Sequence, residues 1–181
     1  MSFYPETRKA SENFPSGVDL KLGGTAIDAT ATEINRACDV SARIVNCTAS
    51  TLAVTEAAHD GKIITLNRAA GIAVTLPAAT GSGTRLRFVV GTTVGTNTTT
   101  IKVVGDDTMT GTALQLADSG ASVNGYETAA DTDTITFDGS TTGGIKGDFV
   151  ELIDIAADLW FVSVRGSATG SEATPFSATV T

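Results

Sequence analysis

The sequence predicts an all-β protein, an antiparallel β-sandwich or jelly-roll-like domain with an extended N-terminal arm and one short helix. Three observations predict this class. Thr, Ala and Gly supply 30, 25 and 19 of the 181 residues while only 18% are charged, which is unlike a helical bundle. Eight segments after residue 60 alternate apolar and polar residues, as half-buried strands do. Clusters of turn-forming residues separate these segments.

Residues 1–21 are predicted to form the extended arm, because they show no regular period and contain Pro5 and Pro15. This segment also lacks the apolar run of a secretory signal. No stretch of 18 consecutive apolar residues occurs anywhere in the chain. We therefore expect a protein that is made and kept in a cytoplasm, without a membrane partner.

Residues 22–60 are predicted to hold one short helix and a connecting segment. Thr30 and Glu33 have the spacing of a capping box, which places the helix near Ala31–Cys38. A turn that contains the same T-x-x-E spacing remains the alternative. A weak strand is expected around Arg43–Cys47.

Residues 61–165 are predicted to form the antiparallel β domain. The residues expected to face its core are Ile64 and Leu66; Ile72, Val74 and Leu76; Leu86, Phe88 and Val90; Ile101 and Val103; Leu114 and Leu116; Ile135 and Phe137; Val150 and Leu152; and Trp160, Val162 and Val164. Short strands at this spacing favour a sandwich or barrel over βαβ units. Residues 166–181 begin as a flexible segment and are expected to end in an added strand at Phe176–Val180.

The charge is distributed unevenly along the chain. Residues 1–105 carry a net charge of +2, whereas residues 106–181 carry −10. The total of −8 argues against binding to nucleic acid, which depends on Lys and Arg neutralising phosphates. The asymmetry itself is evidence about association with other proteins.

The residue patterns of known catalytic and metal sites are missing. His59 is the only histidine, so a catalytic triad would have to use it as the base. We expect it instead to be a solvated loop residue. Cys38 and Cys47 are expected to be reduced thiols, and with one histidine they cannot supply four zinc ligands. The Asp-rich turns lack the EF-hand spacing. We therefore predict a protein that is not an enzyme and binds neither a cofactor nor a metal.

Several stretches resemble virion proteins of tailed bacteriophages. GKIITLNRAAGIAVTLPAATGSG (Gly61–Gly83) and LRFVVG (Leu86–Gly91) resemble a segment of head decoration (cement) proteins and of some fibre domains. The resemblance continues in TTIKVVGDDTMTG (Thr99–Gly111) and LWFVSV (Leu159–Val164). Separately, LGGTAIDATATEINR (Leu22–Arg36) is similar to a stretch found in phage structural proteins.

This resemblance implies a small, commonly trimeric β domain on a virion surface, made in the cytoplasm of a bacterial host. The expected function is that of a head decoration protein, which binds the major capsid protein on the outer surface of the capsid and stabilises the expanded shell. The alternative is a trimeric tail or head fibre module that binds host receptors. Coiled-coil heptads and collagen-like triplets, which are typical of fibres, do not occur in the sequence.

Candidate capsid or partner contacts lie in the arm and on one predicted strand. The arm offers aromatic and basic side chains, namely Phe3, Tyr4, Arg8, Lys9, Phe14 and Lys21. Arg85 and Arg87 alternate with apolar residues and should lie on the outer face of their strand, although two ordinary solvent-facing arginines are the alternative. We expect the less acidic first part of the chain to face the capsid and the acidic second part to face outward.

Overall fold

Residues 21–22, 24–26, 34, 43–118 and 122–180 are described by the structure, a computed structural model. The chain forms two compact units, residues 1–38 and 39–181. In the first unit, β1 (Lys21–Leu22) pairs antiparallel with β2 (Thr25–Ala26). The arm up to residue 20 and all of the predicted helix at 31–38 except Ile34, which is helical, lie outside the described residues.

The second unit contains two mixed β-sheets that pack together. Its described elements are β3 (Ile44–Cys47), β4 (Thr51–Ala53), α1 (Glu56–His59), β5 (Ile63–Leu66), β6 (Ala73–Thr75), β7 (Arg85–Val90), β8 (Thr99–Lys102), β9 (Thr108–Leu116), β10 (Val123–Glu127), β11 (Thr134–Phe137), β12 (Phe149–Ala156), β13 (Leu159–Ser167) and β14 (Phe176–Ser177). One sheet has seven strands in the order β10-β9-β13-β12-β7-β5-β3, and the other has five in the order β14-β11-β8-β6-β4. The prediction of an all-β sandwich is confirmed.

Strands β3 to β8 alternate between the two sheets. Odd-numbered strands of this set lie in the seven-stranded sheet and even-numbered strands in the five-stranded sheet. The pairs β3–β5, β5–β7, β4–β6 and β6–β8 are all parallel. The chain therefore makes three stacked two-strand turns. Two parallel neighbouring strands must be joined by a connection that returns the chain to the end where the first strand began. Here each such connection runs through a strand of the opposite sheet.

The expectation of purely antiparallel sheets is wrong. Besides the stacked turns, β13 runs parallel to β9, while β12 is antiparallel to both β7 and β13. A jelly-roll connection is not confirmed. Apolar alternation records which face of a strand is buried, and this is the same for parallel and antiparallel neighbours in a half-buried sheet.

The core lies between the two sheets and contains most of the predicted inward residues. Ile64, Leu86, Ile101 and Leu152 are fully buried, and so is Trp160. The exception is β9, where Leu114 and Leu116 point outward and are 49% and 58% exposed. The expectation that these two leucines belong to the core is therefore wrong.

Three further local outcomes concern the strands and the termini. The weak strand expected near Arg43–Cys47 is β3, and the added strand expected near the C-terminus is β14, whose Phe176 is buried. Strand β10 was not predicted, because its sequence VNGYE carries little apolar alternation. Within the described residues, no helix is long and apolar enough to cross a membrane.

Candidate interaction surface

An apolar groove lies on the outer face of the seven-stranded sheet. Its apolar walls come from Leu114 and Leu116 on β9, Val123 on β10 and Phe149 on β12, and its volume is about 520 Å³. Leu116 lies directly opposite Val123 across the β9–β10 pair, and both are more than half exposed. We call this feature the outer-face groove. Adjacent exposed apolar side chains of this kind commonly mark a contact surface.

The outward position of the two leucines follows from the packing of β9 on β13. Met109 and Ala113 face the core and are 1% and 0% exposed, so Leu114 and Leu116 must point to the other face. Gly111 lies between Met109 and Ala113 on the inward face, opposite Val162 of β13. A Cβ atom at this position would lie 1.8 Å from the Val162 carbonyl oxygen, so glycine allows the two strands to approach.

Asp148 stabilises one side of the groove from beneath. Its Oδ2 accepts hydrogen bonds from the backbone N–H groups of Gly144 (2.8 Å) and Ile145 (3.0 Å), and its Oδ1 accepts one from the N–H of Ser167 (3.0 Å). These bonds tie the loop before β12 to the end of β13. Burial raises the pKa of Asp148 because it disfavours the charged form, and the hydrogen bonds offset this effect only in part.

Two basic side chains flank the outer-face groove. Lys146 and Arg165 line it, and both are exposed. They are the only Lys or Arg residues in positions 106–181, a stretch that carries twelve acidic residues. The groove therefore combines apolar walls with local positive charge inside an otherwise acidic part of the chain. This combination fits a partner surface that presents apolar and acidic side chains.

A second polar cluster, around Asp154, organises the loop before β7. The buried Asp154 carboxylate accepts hydrogen bonds from the N–H groups of Thr80 (2.9 Å), Gly81 (2.7 Å) and Ser82 (3.0 Å) and from the Ser82 hydroxyl (2.8 Å). Burial acts to raise the pKa of Asp154, but these hydrogen bonds outweigh it and the pKa is lowered. Because Asp154 is already saturated by these donors, we assign it a structural role.

The structure describes three of the residues that were predicted as contacts. Phe3, Tyr4, Arg8, Lys9 and Phe14 lie outside the described residues, and Lys21 lies in β1. Arg85 and Arg87 lie on the outer face of β7, as their alternation indicated. Arg87 pairs with Glu151, with Nε 3.2 Å from Oε1, and neither arginine lines the groove.

His59 is not the solvated loop residue that the sequence indicated. It closes the short helix α1 and is 7% exposed, with Nδ1 3.0 Å from the backbone nitrogen of Thr55. The alternation of apolar and polar residues that identifies strands does not indicate the single helical turn at Glu56–His59. Its ring therefore packs and hydrogen-bonds locally within the loop between β4 and β5.

The described part of the chain offers no candidate centre for metal chemistry. Among residues 43–118 and 122–180, no three His, Cys, Asp or Glu side chains approach closely enough to hold a metal ion. The one cysteine described, Cys47, is a buried thiol. Comparison of the chain with models of protein families, with curated proteins and with solved structures gives no significant match.

Proposed function

We propose that this protein is a head decoration protein of a tailed bacteriophage. It binds the major capsid protein on the outer surface of the expanded shell and stabilises the shell by contact. The resemblance of Gly61–Gly83 and the flanking strands to virion proteins supports the phage assignment. The host cytoplasm is then the site of synthesis and the virion is the final location.

The outer-face groove is the observation that carries the proposal. Burial of an exposed leucine or valine side chain contributes about 1.5–3 kcal/mol, so Leu114, Leu116 and Val123 together offer a strong anchor. Lys146 and Arg165 orient the bound partner, because they attract its acidic side chains. On this basis we place a capsid contact in the second half of the chain, which departs from the expectation that this more acidic half faces outward.

The surface around the groove suits docking as well. Many outward strand residues are threonine, including Thr110 and Thr112 on β9. A β-branched side chain has few rotamers and therefore loses little entropy when it is immobilised. Such a surface supports repeated, rigid contact on a shell.

Replacing Leu116 with aspartate should weaken binding to the capsid about tenfold or more. The change removes an apolar contact and places a negative charge in the groove, beside a partner that we expect to be partly acidic. The measurement is cosedimentation with expanded capsids that lack the protein, over a range of protein concentrations. Leu116 is 58% exposed, so the folded domain should tolerate the change.

Ile155 provides the matched control for this substitution. It is 48% exposed on β12 and does not line the groove, so Ile155→Asp should bind capsids as the wild type does. Equal loss of binding in both variants would indicate a general effect of charge. Full binding by Leu116→Asp would remove the groove from the proposal.

Charge reversal of two arginines separates the groove from the strand that was first predicted to make the contact. Arg165 flanks the groove and Arg85 lies on the outer face of β7, and both are exposed. Arg165→Glu should lower capsid occupancy severalfold and flatten its fall with salt concentration, because an attractive charge pair that salt screens is lost, whereas Arg85→Glu should do neither. The reverse result would place the contact on β7.

Copy number distinguishes decoration from a fibre function. A decoration protein is present in hundreds of copies per particle by the geometry of the shell, whereas a receptor-binding fibre is present as a few trimers. Quantitative mass spectrometry of purified particles gives this number directly. A count of a few trimers would favour the fibre module.

A further inference from the structure

Strands β3 and β4 end the two sheets at the same side of the sandwich. Each is the last strand of its sheet and pairs with one neighbour only, β3 with β5 and β4 with β6. They are consecutive along the chain and form the first of the three stacked turns. We call this feature the open end.

The outward backbone groups of β3 can be identified from its hydrogen bonds. The N–H of Ile63 donates to the carbonyl of Arg43 at 2.9 Å, and the N–H of Asn67 donates to the carbonyl of Cys47 at 2.8 Å. In a parallel pair alternate residues face the neighbouring strand. The N–H and C=O groups of Ile44 and Asn46 therefore point away from the sheet.

The same alternation applies to β4. The N–H of Val54 donates to the carbonyl of Thr75, and the N–H of Ala73 donates to the carbonyl of Ser50, both at 2.9 Å. The backbone groups of Thr51 and Ala53 therefore point outward, on the same side of the molecule as those of Ile44 and Asn46. None of these outward groups has a hydrogen-bond partner among the described residues.

The core is also incompletely covered at the open end. Val45 and Leu52 point inward and pack on the core, yet both remain partly exposed. Their partners one turn further in, Ile64 and Val74, are 0% and 1% exposed. A further turn of structure on this end would bury Val45 and Leu52 to the same degree.

The open end carries no feature that would repel another strand. Residues 44–53 contain no charged residue and no proline, the usual devices that protect an exposed strand edge. Most of the negative charge of the chain lies in residues 106–181, away from this turn in sequence. An approach of two open ends therefore brings neutral strands together.

We propose that the open end binds the open end of a second copy of this chain, related by a two-fold axis perpendicular to both sheets. This axis maps each sheet onto itself, so β3 pairs antiparallel with β3 of the partner and β4 pairs antiparallel with β4 of the partner. Both sheets then continue across the dimer, and the cores merge. An interface of this kind is self-complementary, as two-fold symmetry requires.

The register of this dimer follows from the outward groups. Centring β3 on Val45 places Ile44 opposite Asn46 of the second copy, so that each pair exchanges two hydrogen bonds. Centring β4 on Leu52 places Thr51 opposite Ala53 in the same way. Val45 and Leu52 lie at nearly equal distances along the chain from the turn at residues 48–50, so a single axis can pass close to both.

The inference rests on the topology of the sheets and stands apart from the proposed capsid function. The outer-face groove lies on the strands at the other end of the seven-stranded sheet. Capsid binding can therefore fail while dimerisation is retained, and the reverse also holds. A two-fold dimer differs in mass from the trimer that the phage resemblance implies.

Two lysines at the open end should prevent dimerisation. In Thr51→Lys/Ala53→Lys, each new lysine would lie opposite the other lysine of the second copy, and like charges directly opposite destabilise a strand pair. Sedimentation across the micromolar range should give a dimer for the wild type and a dissociation constant at least tenfold higher for the variant. The matched control is Ala73→Lys/Thr75→Lys, which adds the same charges at the register partners on β6, where both edges are paired.

Amide hydrogen exchange of Ile44, Asn46, Thr51 and Ala53 provides the second measurement. In the wild type their protection should rise with protein concentration, and in the open-end variant it should be lost. A monomeric or trimeric wild type, or a dimer that both lysine variants leave intact, would overturn the proposal. Protection that does not depend on concentration would also overturn it, and would indicate that another segment of the same chain covers the open end.

Discussion

Replacing Gly111 with alanine is expected to destabilise the protein by at least about 4 kcal/mol or to prevent folding. Gly111 has φ of +152°, and a Cβ atom there would lie 1.8 Å from the carbonyl oxygen of Val162 on the neighbouring strand. That contact is with backbone, so no side-chain rotation relieves it. Strands β9 and β13, which are neighbours in the seven-stranded sheet and carry Leu114, Leu116 and Arg165 of the groove, would have to separate. Urea denaturation of the purified variant, or its yield in soluble form, measures the effect.

Gly125 is the control for this prediction. It lies on β10, the strand next to β9, and a Cβ atom there would meet only the Leu114 side chain at an ordinary distance of 3.7 Å. Gly125→Ala should change the free energy of unfolding by no more than about 1 kcal/mol, and in the stabilising direction. If Gly111→Ala were as stable as Gly125→Ala, the close approach of β9 and β13 would not occur in solution.

The sequence carried enough information to predict the fold class and most of the core. Period-two alternation is a direct consequence of a strand with one buried face, and it identified residues such as Leu86, Phe88 and Val162 correctly. It carried no information on which strands are neighbours or on their direction. The stacked parallel turns of β3 to β8 therefore could not be predicted, since their connections depend on contacts between distant segments.

The groove was missed for a related reason. In β9 two leucines alternate with Gln115, and the larger apolar residues were assigned to the core. The structure instead buries Gln115 to 1% exposure, because Met109 and Ala113 fix which face is inward, and neither amide atom of Gln115 has a hydrogen-bond partner among the described residues. The small residues Gly111 and Ala113, suited to close packing, were the available signal. An assignment of the buried face by hydrophobicity gives such small residues less weight than it gives leucine.

The arm residues predicted as contacts remain a prediction, and the outer-face groove is the second contact that we propose for the same partner. A carboxylate beneath the surface holds the loop that carries Lys146, and the pairing of β9 with β13 sets the position of Arg165. The shape of the groove therefore depends on buried polar contacts that composition alone does not indicate. Asp148 and Asp154, two of the many aspartates of the chain, serve as acceptors for loop N–H groups.

Asp154 is the aspartate whose loss should cost most. Its carboxylate satisfies three consecutive backbone N–H groups, those of Thr80, Gly81 and Ser82. Each donor left unsatisfied costs about 1–3 kcal/mol, reduced where water can reach it, so Asp154→Ala should destabilise the protein by about 3–5 kcal/mol at pH 7. Urea denaturation measures this value. Asp106→Ala, at an exposed aspartate without such contacts, should stay within about 0.5 kcal/mol of the wild type.

The effect of Asp154 should depend on pH with a defined sign. Its pKa in the folded protein lies below the unfolded value of 3.8, so the charged carboxylate stabilises the fold above that value and the contribution is lost as pH falls through the folded pKa. The difference in stability between wild type and Asp154→Asn should therefore be largest near neutral pH and shrink in acid. Asp138, whose pKa is lowered to about 2, also stabilises the fold less as pH falls, and it does so in both proteins. Asp148, whose pKa is raised, gives stability the opposite pH dependence, again in both proteins. A difference that stays constant from pH 7 into the acid range would show that the Asp154 charge does not stabilise the loop.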